Sequence, residues 1–286
     1  MITFSTLGSH GRLGNQLFQY SILKFISLNL GYEIQLPFHI FENEHHGQKC
    51  LLNNFKLKSC KFVNTIKKDY FFVENGFFEN INNRIFDNSI LKINDNTEIL
   101  GFFQNPNYYQ AIKKELIEEL EINENISFKI KNLIKDIKSP TVSLHLRRGD
   151  LSDNTNPIDY QWSNDFSENS IQYKYYSKAL SLVPKDSIIF LFTGGSRLNF
   201  ENNDYEWCKQ HFKDKRIRFM EDLNDLETFH LMSICNYNIT SFASTFSWWA
   251  SFLNENNNVI APKIYYPTAP ISIDKVYPKD WHLINI

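Results

Sequence analysis

An α/β fold in two domains is what this chain predicts, on three observations. The first residues read as a strand, a glycine-punctuated turn and an amphipathic helix. The second half alternates short apolar strands with helical segments. A length of 286 residues suits two domains of roughly 100–150 residues each.

The elements follow in order. Residues 2–7 are the expected first strand, Gly8-Ser-His-Gly-Arg-Leu-Gly14 the turn, and residues 15–30 a helix, because Leu17, Phe18, Ile22, Phe25, Ile26 and Leu30 recur at helical spacing. Residues 32–103 are expected to be β-rich or irregular, with aromatic clusters at Tyr70-Phe-Phe72 and Phe77-Phe78. Gly101-Phe-Phe-Gln-Asn-Pro-Asn-Tyr-Tyr109 then leads into a helix ending near Glu121. A charge-rich helical segment, 125–138, stops at Ser139-Pro140, since the residue before a proline is biased out of helix. The domain boundary is expected there, giving residues 1–139 and 140–286. Beyond it, strands at 142–146, 187–192, 216–220, 237–240 and 258–261 alternate with helical segments near 170–182, 200–212, 225–235 and 245–253, the pattern of a parallel sheet covered by helices.

A formal net charge of −2 argues against non-specific polyanion binding, so nucleic acid is not an expected partner, and any grip on phosphate must come from a local cluster. Cys50, Cys60, Cys208 and Cys235 form no C-x-x-C pair, which suits a reducing cytoplasm better than a disulfide scaffold or a zinc site. No stretch approaches the roughly 20 apolar residues needed to span a bilayer, so any membrane contact, at the inner face, is expected to be peripheral.

Three constellations carry chemistry. In Thr141-Val-Ser-Leu-His-Leu-Arg-Arg-Gly-Asp-Leu151 strand alternation puts Val142, Leu144 and Leu146 on one face and Ser143, His145 and Arg147 on the other. Ligands of open α/β sheets sit beyond the carboxyl ends of the strands, where Arg147, Arg148 and Asp150 fall, and guanidinium grips phosphate with paired hydrogen bonds. The plainer alternative is an Arg–Asp ion pair at a strand end with His145 in the core. The second constellation, Ile239-Thr-Ser-Phe-Ala-Ser-Thr-Phe-Ser-Trp-Trp-Ala250, joins a strand to a hydroxyl-rich turn and an apolar helix. Ser244 or Thr245 can cap that helix, and its first-turn amides can hold a diphosphate; simple capping is the alternative. Trp248 and Trp249 read as core. The third, Gly11-Arg-Leu-Gly-Asn-Gln-Leu-Phe-Gln19, matches no common nucleotide fingerprint. Its glycines, Gly14 among them, suggest close backbone approach, and Asn15 and Gln16 are placed to meet a polar substrate or merely to cap the turn.

No two aspartates stand two residues apart, so the Asp-x-Asp metal clamp is absent and arginine is expected to neutralise phosphate without a metal. His45-His46 beside Glu44 is a poor metal site, because adjacent loop residues seldom share an ion. Neither G-x-S-x-G nor a reactive-cysteine pattern occurs.

With GRLGNQLFQYS, GFFQNPNYY, HLRRGDL and STFSWWASFL in this order, the chain resembles the bacterial α-1,2-fucosyltransferases of glycosyltransferase family 11 over nearly its whole length. The resemblance implies a GT-B-like fold of two Rossmann-like domains facing across a cleft, with the acceptor on the N-terminal side and the donor on the C-terminal side. It also implies GDP-fucose as donor substrate, inversion at the sugar carbon, no required metal and a glycan acceptor such as lipopolysaccharide. Carried to this sequence, it puts Arg147 on the β-phosphate, His145 beside the nucleotide with Arg148 and Gly194 near, and Ser244, Thr245 and Ser247 along the diphosphate. Gly14 and Asn15 come from the other domain, Asn15 facing the reacting sugar. Asp150 is the candidate base, or else orients Arg148. Gly194-Gly195 stands where acidic residues are common in the family, and Ala243 where an asparagine is. A different GDP-linked sugar, or a silent glycan- or nucleotide-binding relative, therefore remains an alternative.

Overall fold

The structure, a computed structural model, describes residues 1–77, 85–153, 155–194, 203–269 and 271–286. Phe78, Gly195 and residues 200–202 lie outside the described residues. Two units emerge: Met1–Asn123 with Asp274–Lys279, and Glu124–Ile273 with Asp280–Ile286.

In the first unit, β1 (Ile2–Thr3) is shorter than expected because successive turns, Leu7 N–H to Phe4 O and Ser9 N–H to Thr6 O, take over directly after it. The helix α1 (Leu13–Leu30) then begins two residues before the expected start. Its opening N–H, on Leu13, is satisfied by Gln48 Oε1 at 2.7 Å, and it ends at Gly31, whose left-handed φ of 73° lets its N–H return to Ser27 O. Next come β2 (Ile34–Pro37), a hairpin of β3 (Glu44–His45) and β4 (Gln48–Lys49), then β5 (Cys60–Val63), β6 (Tyr70–Val73), β7 (Thr97–Leu100) and α2 (Lys113–Glu119). The main sheet runs β5-β2-β1-β7-β6, parallel throughout, so the stretch 32–103 supplies four of its strands. Glu119 of α2 is buried and accepts from the Tyr20 hydroxyl at 2.6 Å, the Ser59 N–H at 2.7 Å and Lys24 Nζ at 3.2 Å. These bonds tie α1 and α2 to the approach to β5.

The second unit comprises α3 (Glu124–Ile134), β8 (Thr141–Arg147), α4 (Pro157–Asn164), α5 (Ile171–Leu182), β9 (Ile188–Gly194), α6 (Asp204–His211), β10 (Ile217–Phe219), α7 (Asp225–Ile234), β11 (Tyr237–Ile239), α8 (Thr245–Phe252), β12 (Val259–Pro262) and β13 (His282–Ile284). The expected boundary at residue 139 is corrected to Asn123: α3 packs with α7, where Lys129 Nζ meets Glu227 Oε1 at 2.5 Å, so this helix opens the second unit rather than closing the first. Sheet order is β10-β9-β8-β11-β12-β13, all parallel. Counted from β8 that is 3-2-1-4-5-6, the doubly wound nucleotide-binding order, whose direction reverses between β8 and β11. Helix α4 was not expected, although Asn156-Pro157 is a start signal: Asn156 Oδ1 accepts from the Ile158 and Asp159 N–H groups.

Strand alternation in β8 is as expected. Val142, Leu144 and Leu146 pack in a core with Tyr175, Tyr176 and Ala179 of α5, while the opposite face carries Ser143 and His145. Trp248 and Trp249 are buried core. A polar network crosses this interior: Asn238 Nδ2 donates to Ser143 Oγ at 2.7 Å and Met232 O at 2.8 Å, and Asn254 Nδ2 donates to Asn238 Oδ1 at 2.7 Å and Cys235 O at 2.7 Å. It locks β11 to β8, α7 and the end of α8. Asn238→Ala strands three of these groups at once and is expected to lower unfolding free energy by about 3 kcal/mol in urea titration.

Candidate active site

The carboxyl ends of β8 and β11 and the start of α8 meet at the reversal of the second sheet. Arg147 closes β8 there. Its backbone N–H is held by Ser241 Oγ at 2.7 Å, and that serine in turn receives the Tyr176 hydroxyl at 3.2 Å, which also bonds His145 O at 3.0 Å. The Arg147 side chain is 24% exposed. Nη2 donates to both oxygens of Asp150, at 3.0 and 3.3 Å, and Nη1 donates to Ala243 O. A guanidinium has five N–H donors, so among the described contacts at least two more, that of Nε included, remain for a ligand. Burial opposes its charge, yet the Asp150 carboxylate more than compensates and holds the pKa above the ordinary arginine value.

Arg148 does the opposite. Expected near the nucleotide, it is only 4% exposed and bonded through all three nitrogens inside the unit: Nε to Asp204 Oδ1 at 3.0 Å, Nη1 to Ser163 O at 2.6 Å and Nη2 to Asn164 Oδ1 at 2.7 Å, with the guanidinium 3.8 Å from the Trp207 ring centre. Asp204 Oδ2 also takes the Gly149 N–H at 2.8 Å. Burial lowers the Arg148 pKa, and Asp204 offsets only part of that. The expectations that Arg148 reaches the ligand and that Asp150 orients Arg148 are therefore corrected: Asp150 orients Arg147, and Asp204 orients Arg148.

His145 is buried, its Nδ1 has no hydrogen-bond partner among the described residues, and its ring lies 5.9 Å from that of Phe246. Burial first, then the neighbouring Arg147 charge, push its pKa down to about 3, so it is neutral at physiological pH. Gly194 pairs with Arg147 across the β8–β9 ladder and has φ 123°, a backbone suited to glycine.

The hydroxyls divide between two uses. Ser244 Oγ caps α8 by accepting the Ser247 N–H at 3.2 Å, and Ser247 Oγ, wholly buried, accepts the Ser241 N–H at 3.3 Å. Both shape the turn. Thr245 is half-buried at the helix start, where the N–H groups of Thr245 and Phe246 point out of the helix. Ala243 adopts φ 49°, and its N–H is fixed by Tyr265 O at 2.7 Å. Tyr266, which the sequence did not single out, lies close enough to Arg147 and Asp150 to feel their charges, and its hydroxyl donates to Asp159 Oδ2 at 2.7 Å. A cation beside outward-pointing helix amides at a sheet reversal has the chemistry to hold an anion such as a diphosphate.

The first unit holds the remaining expected residues. Asn15 is half-buried in the first turn of α1, and Gly14 is buried beside it. Gly11, at φ 125°, is where the backbone approach is close: a Cβ there would come within 2.1 Å of Asn15 Nδ2. Gln16, read from the sequence as either a substrate contact or a turn cap, is an internal clamp, with Oε1 accepting the Leu51 N–H at 2.9 Å and Nε2 donating to Lys49 O at 3.3 Å. Among the described residues no trio of His, Cys, Asp or Glu is grouped to hold a metal, and no helix is long and apolar enough to cross a membrane.

Two measurements check this division of roles. Removing one partner of the inner pair, in Arg148→Ala or Asp204→Ala, is expected to destabilise the fold by about 3–5 kcal/mol, against about 1 kcal/mol for Arg147→Ala, read by urea unfolding. His145 adds a pH signature. Between its ordinary value of 6.5 and about 3, the unfolded chain binds a proton that the folded protein excludes. Stability therefore falls with falling pH through that window, by at most about 1.4 kcal/mol per unit. The slope is expected to be shallower in His145→Gln.

Comparison with known proteins agrees with this architecture. No match to a curated protein was found. The fucosyltransferase NodZ from Bradyrhizobium superposes with a TM-score of 0.54 at 11% identity, covering 88% of this chain and 92% of its own. POFUT1 in complex with GDP-fucose superposes with a TM-score of 0.53 at 14% identity, covering 91% and 97%. At these identities the likeness is one of fold, GT-B-like in its two parallel-sheet units. The family model described as glycosyl transferase family 11 matches residues 2–285, and the chain belongs to that family.

Proposed function

We propose that the protein is an inverting fucosyltransferase that moves fucose from GDP-fucose to a galactose-type hydroxyl, in α-1,2 linkage, on a surface glycan such as lipopolysaccharide. The single observation that carries the reading is Arg147, a partly exposed guanidinium fixed by Asp150 and Ala243 O at the reversal of a doubly wound sheet. Family membership supports glycosyl transfer. A second NodZ structure, of an α-1,6-fucosyltransferase, was soaked with GDP-fucose, and a POFUT1 structure holds the same compound, which supports this donor.

In the proposed reaction the acceptor oxygen attacks the anomeric carbon from the face opposite the nucleotide. The bond from that carbon to the phosphate oxygen breaks, and its electron pair leaves with GDP. Negative charge grows on the departing β-phosphate, and Arg147, preorganised by Asp150, stabilises that charge more in the transition state than in the ground state. The Thr245 and Phe246 amides at the start of α8 add to the same potential. No metal is needed on this reading, since arginine supplies the cation and the sequence has no Asp-x-Asp clamp. Asp150, committed to Arg147, is a poor base. The acceptor proton leaves late, to solvent or a group on the acceptor side, as a loose oxocarbenium-like transition state allows. His145, neutral and buried, packs beneath the nucleotide. The four unpaired cysteines fit a protein of the reducing cytoplasm.

Arg147→Ala is expected to lower kcat by about 10²–10³-fold while leaving the circular dichroism spectrum unchanged; wild-type turnover in a folded variant would exclude the assigned role. A panel of GDP-linked sugars with simple galactosides, followed by linkage analysis, is expected to give α-1,2-linked fucose. Preference for another GDP-sugar would point instead to the departures at Gly194 and Ala243, and binding of GDP without transfer to a silent relative.

A further inference from the structure

The stretch Gly101-Phe-Phe-Gln-Asn-Pro106 has no role in the reading above, yet its backbone is held in an unusual way. Glu74, at the end of β6, accepts the N–H groups of both Phe102 and Phe103, at 2.6 and 2.8 Å. Phe103 takes a left-handed φ of 52°, and its carbonyl receives the Asn105 N–H at 2.9 Å and the Tyr109 hydroxyl at 2.6 Å. For a bulky residue such a conformation persists only where its surroundings over-determine it. The result is that Gln104 is turned inward, 6% exposed, and its Nε2 donates to Asn15 Oδ1 at 2.8 Å.

The place of this contact matters. β1 and β7 are adjacent parallel strands in the first sheet, and Asn15 follows β1 while Gln104 follows β7, so both residues lie beyond the carboxyl ends of neighbouring strands. The pair sits where an open α/β sheet presents ligand-binding groups. Gln104 Oε1 is buried with no hydrogen-bond partner among the described residues, an unfavourable state that methionine, of similar length, would avoid. What glutamine adds at this position is the N–H donor to Asn15. With Oδ1 so engaged and Gly11 pressed against the amide, Asn15 is left with its Nδ2 hydrogens as donors, facing a ligand group that must accept.

We infer that Gln104 is a positioning residue for glycosyl transfer: it fixes the amide of Asn15 so that Nδ2–H donates to an ether or hydroxyl oxygen of the sugar undergoing reaction. This rests on the functional reading above, in which Asn15 meets that sugar.

The test uses the full-length protein with GDP-fucose and a galactoside, in Gln104→Met and Gln104→Glu. Gln104→Met removes the donor and keeps the volume; it is expected to match the native melting temperature or exceed it, while kcat falls about 10–100-fold and KM for the donor changes less than threefold. Gln104→Glu supplies a donor only when protonated, and burial raises the pKa of such a carboxyl. The ratio of its rate to the native rate is therefore expected to climb as pH falls, whereas the ratio for Gln104→Met stays flat. A folded Gln104→Met with native kcat, or two pH-independent ratios, would overturn the assignment while leaving the fucosyltransferase reading in place. A native protein that transfers no sugar from any GDP-sugar would overturn that reading and this inference with it.

Discussion

The second unit is organised around one buried charge pair. Arg148 and Asp204 lie out of water, and a pair in that position is favourable only if its geometry is good and further hydrogen bonds satisfy its polar groups. Here each guanidinium nitrogen has a partner: Asp204 takes Arg148 Nε and also the Gly149 N–H, Ser163 O takes Nη1 and Asn164 Oδ1 takes Nη2, with the Trp207 ring against the face of the group. The pair thereby fixes the backbone immediately after Arg147 from the α6 and α4 sides. Two consecutive arginines leaving a strand must point in different directions, and anchoring the inner one determines where the outer one goes. Arg147 faces the sheet reversal because Arg148 cannot.

The same geometrical device serves both units. Each has a parallel sheet in which the first strand lies beside a strand distant in the chain, and the stretches GRLGNQ and GFFQNP follow one such pair, β1 and β7, as HLRRGD and FASTFSWW follow the other, β8 and β11. Chemically distinctive residues gather at these points because strand ends leave backbone groups unpaired and helix starts point their amides outward. Elsewhere the sheets are packed with aliphatic and aromatic side chains that have no such freedom.

This explains how far the sequence could be read. Parallel sheet, strand-to-helix alternation and the prominence of Arg147 follow from local periodicity and from the chemistry of guanidinium, which are written in consecutive residues. What periodicity could not supply was the identity of partners distant in the chain. Nothing near Arg148 announces Asp204, and nothing in Gln16 distinguishes a clamp on the backbone at 49–51 from a ligand contact. The hydroxyls of Ser244 and Ser247 look alike to Thr245 in sequence, yet burial turns two of them inward. The boundary misplaced at Ser139-Pro140 has the same origin: the proline does mark the end of a helical stretch, but which sheet α3 packs against is decided by α7.

Ala243 carries a consequence of its own. A left-handed backbone at alanine is uphill by roughly 1 kcal/mol compared with glycine, and alanine lacks the side-chain amide with which asparagine eases that conformation. Two ties hold this peptide in place, the Tyr265 carbonyl on its amide and the Arg147 guanidinium on its own carbonyl. Any anion that draws the guanidinium away also releases one of those ties, and the turn then loses part of what keeps it wound. Occupancy of the cation and the set of the polypeptide at the mouth of α8 are thus thermodynamically coupled through a single carbonyl oxygen.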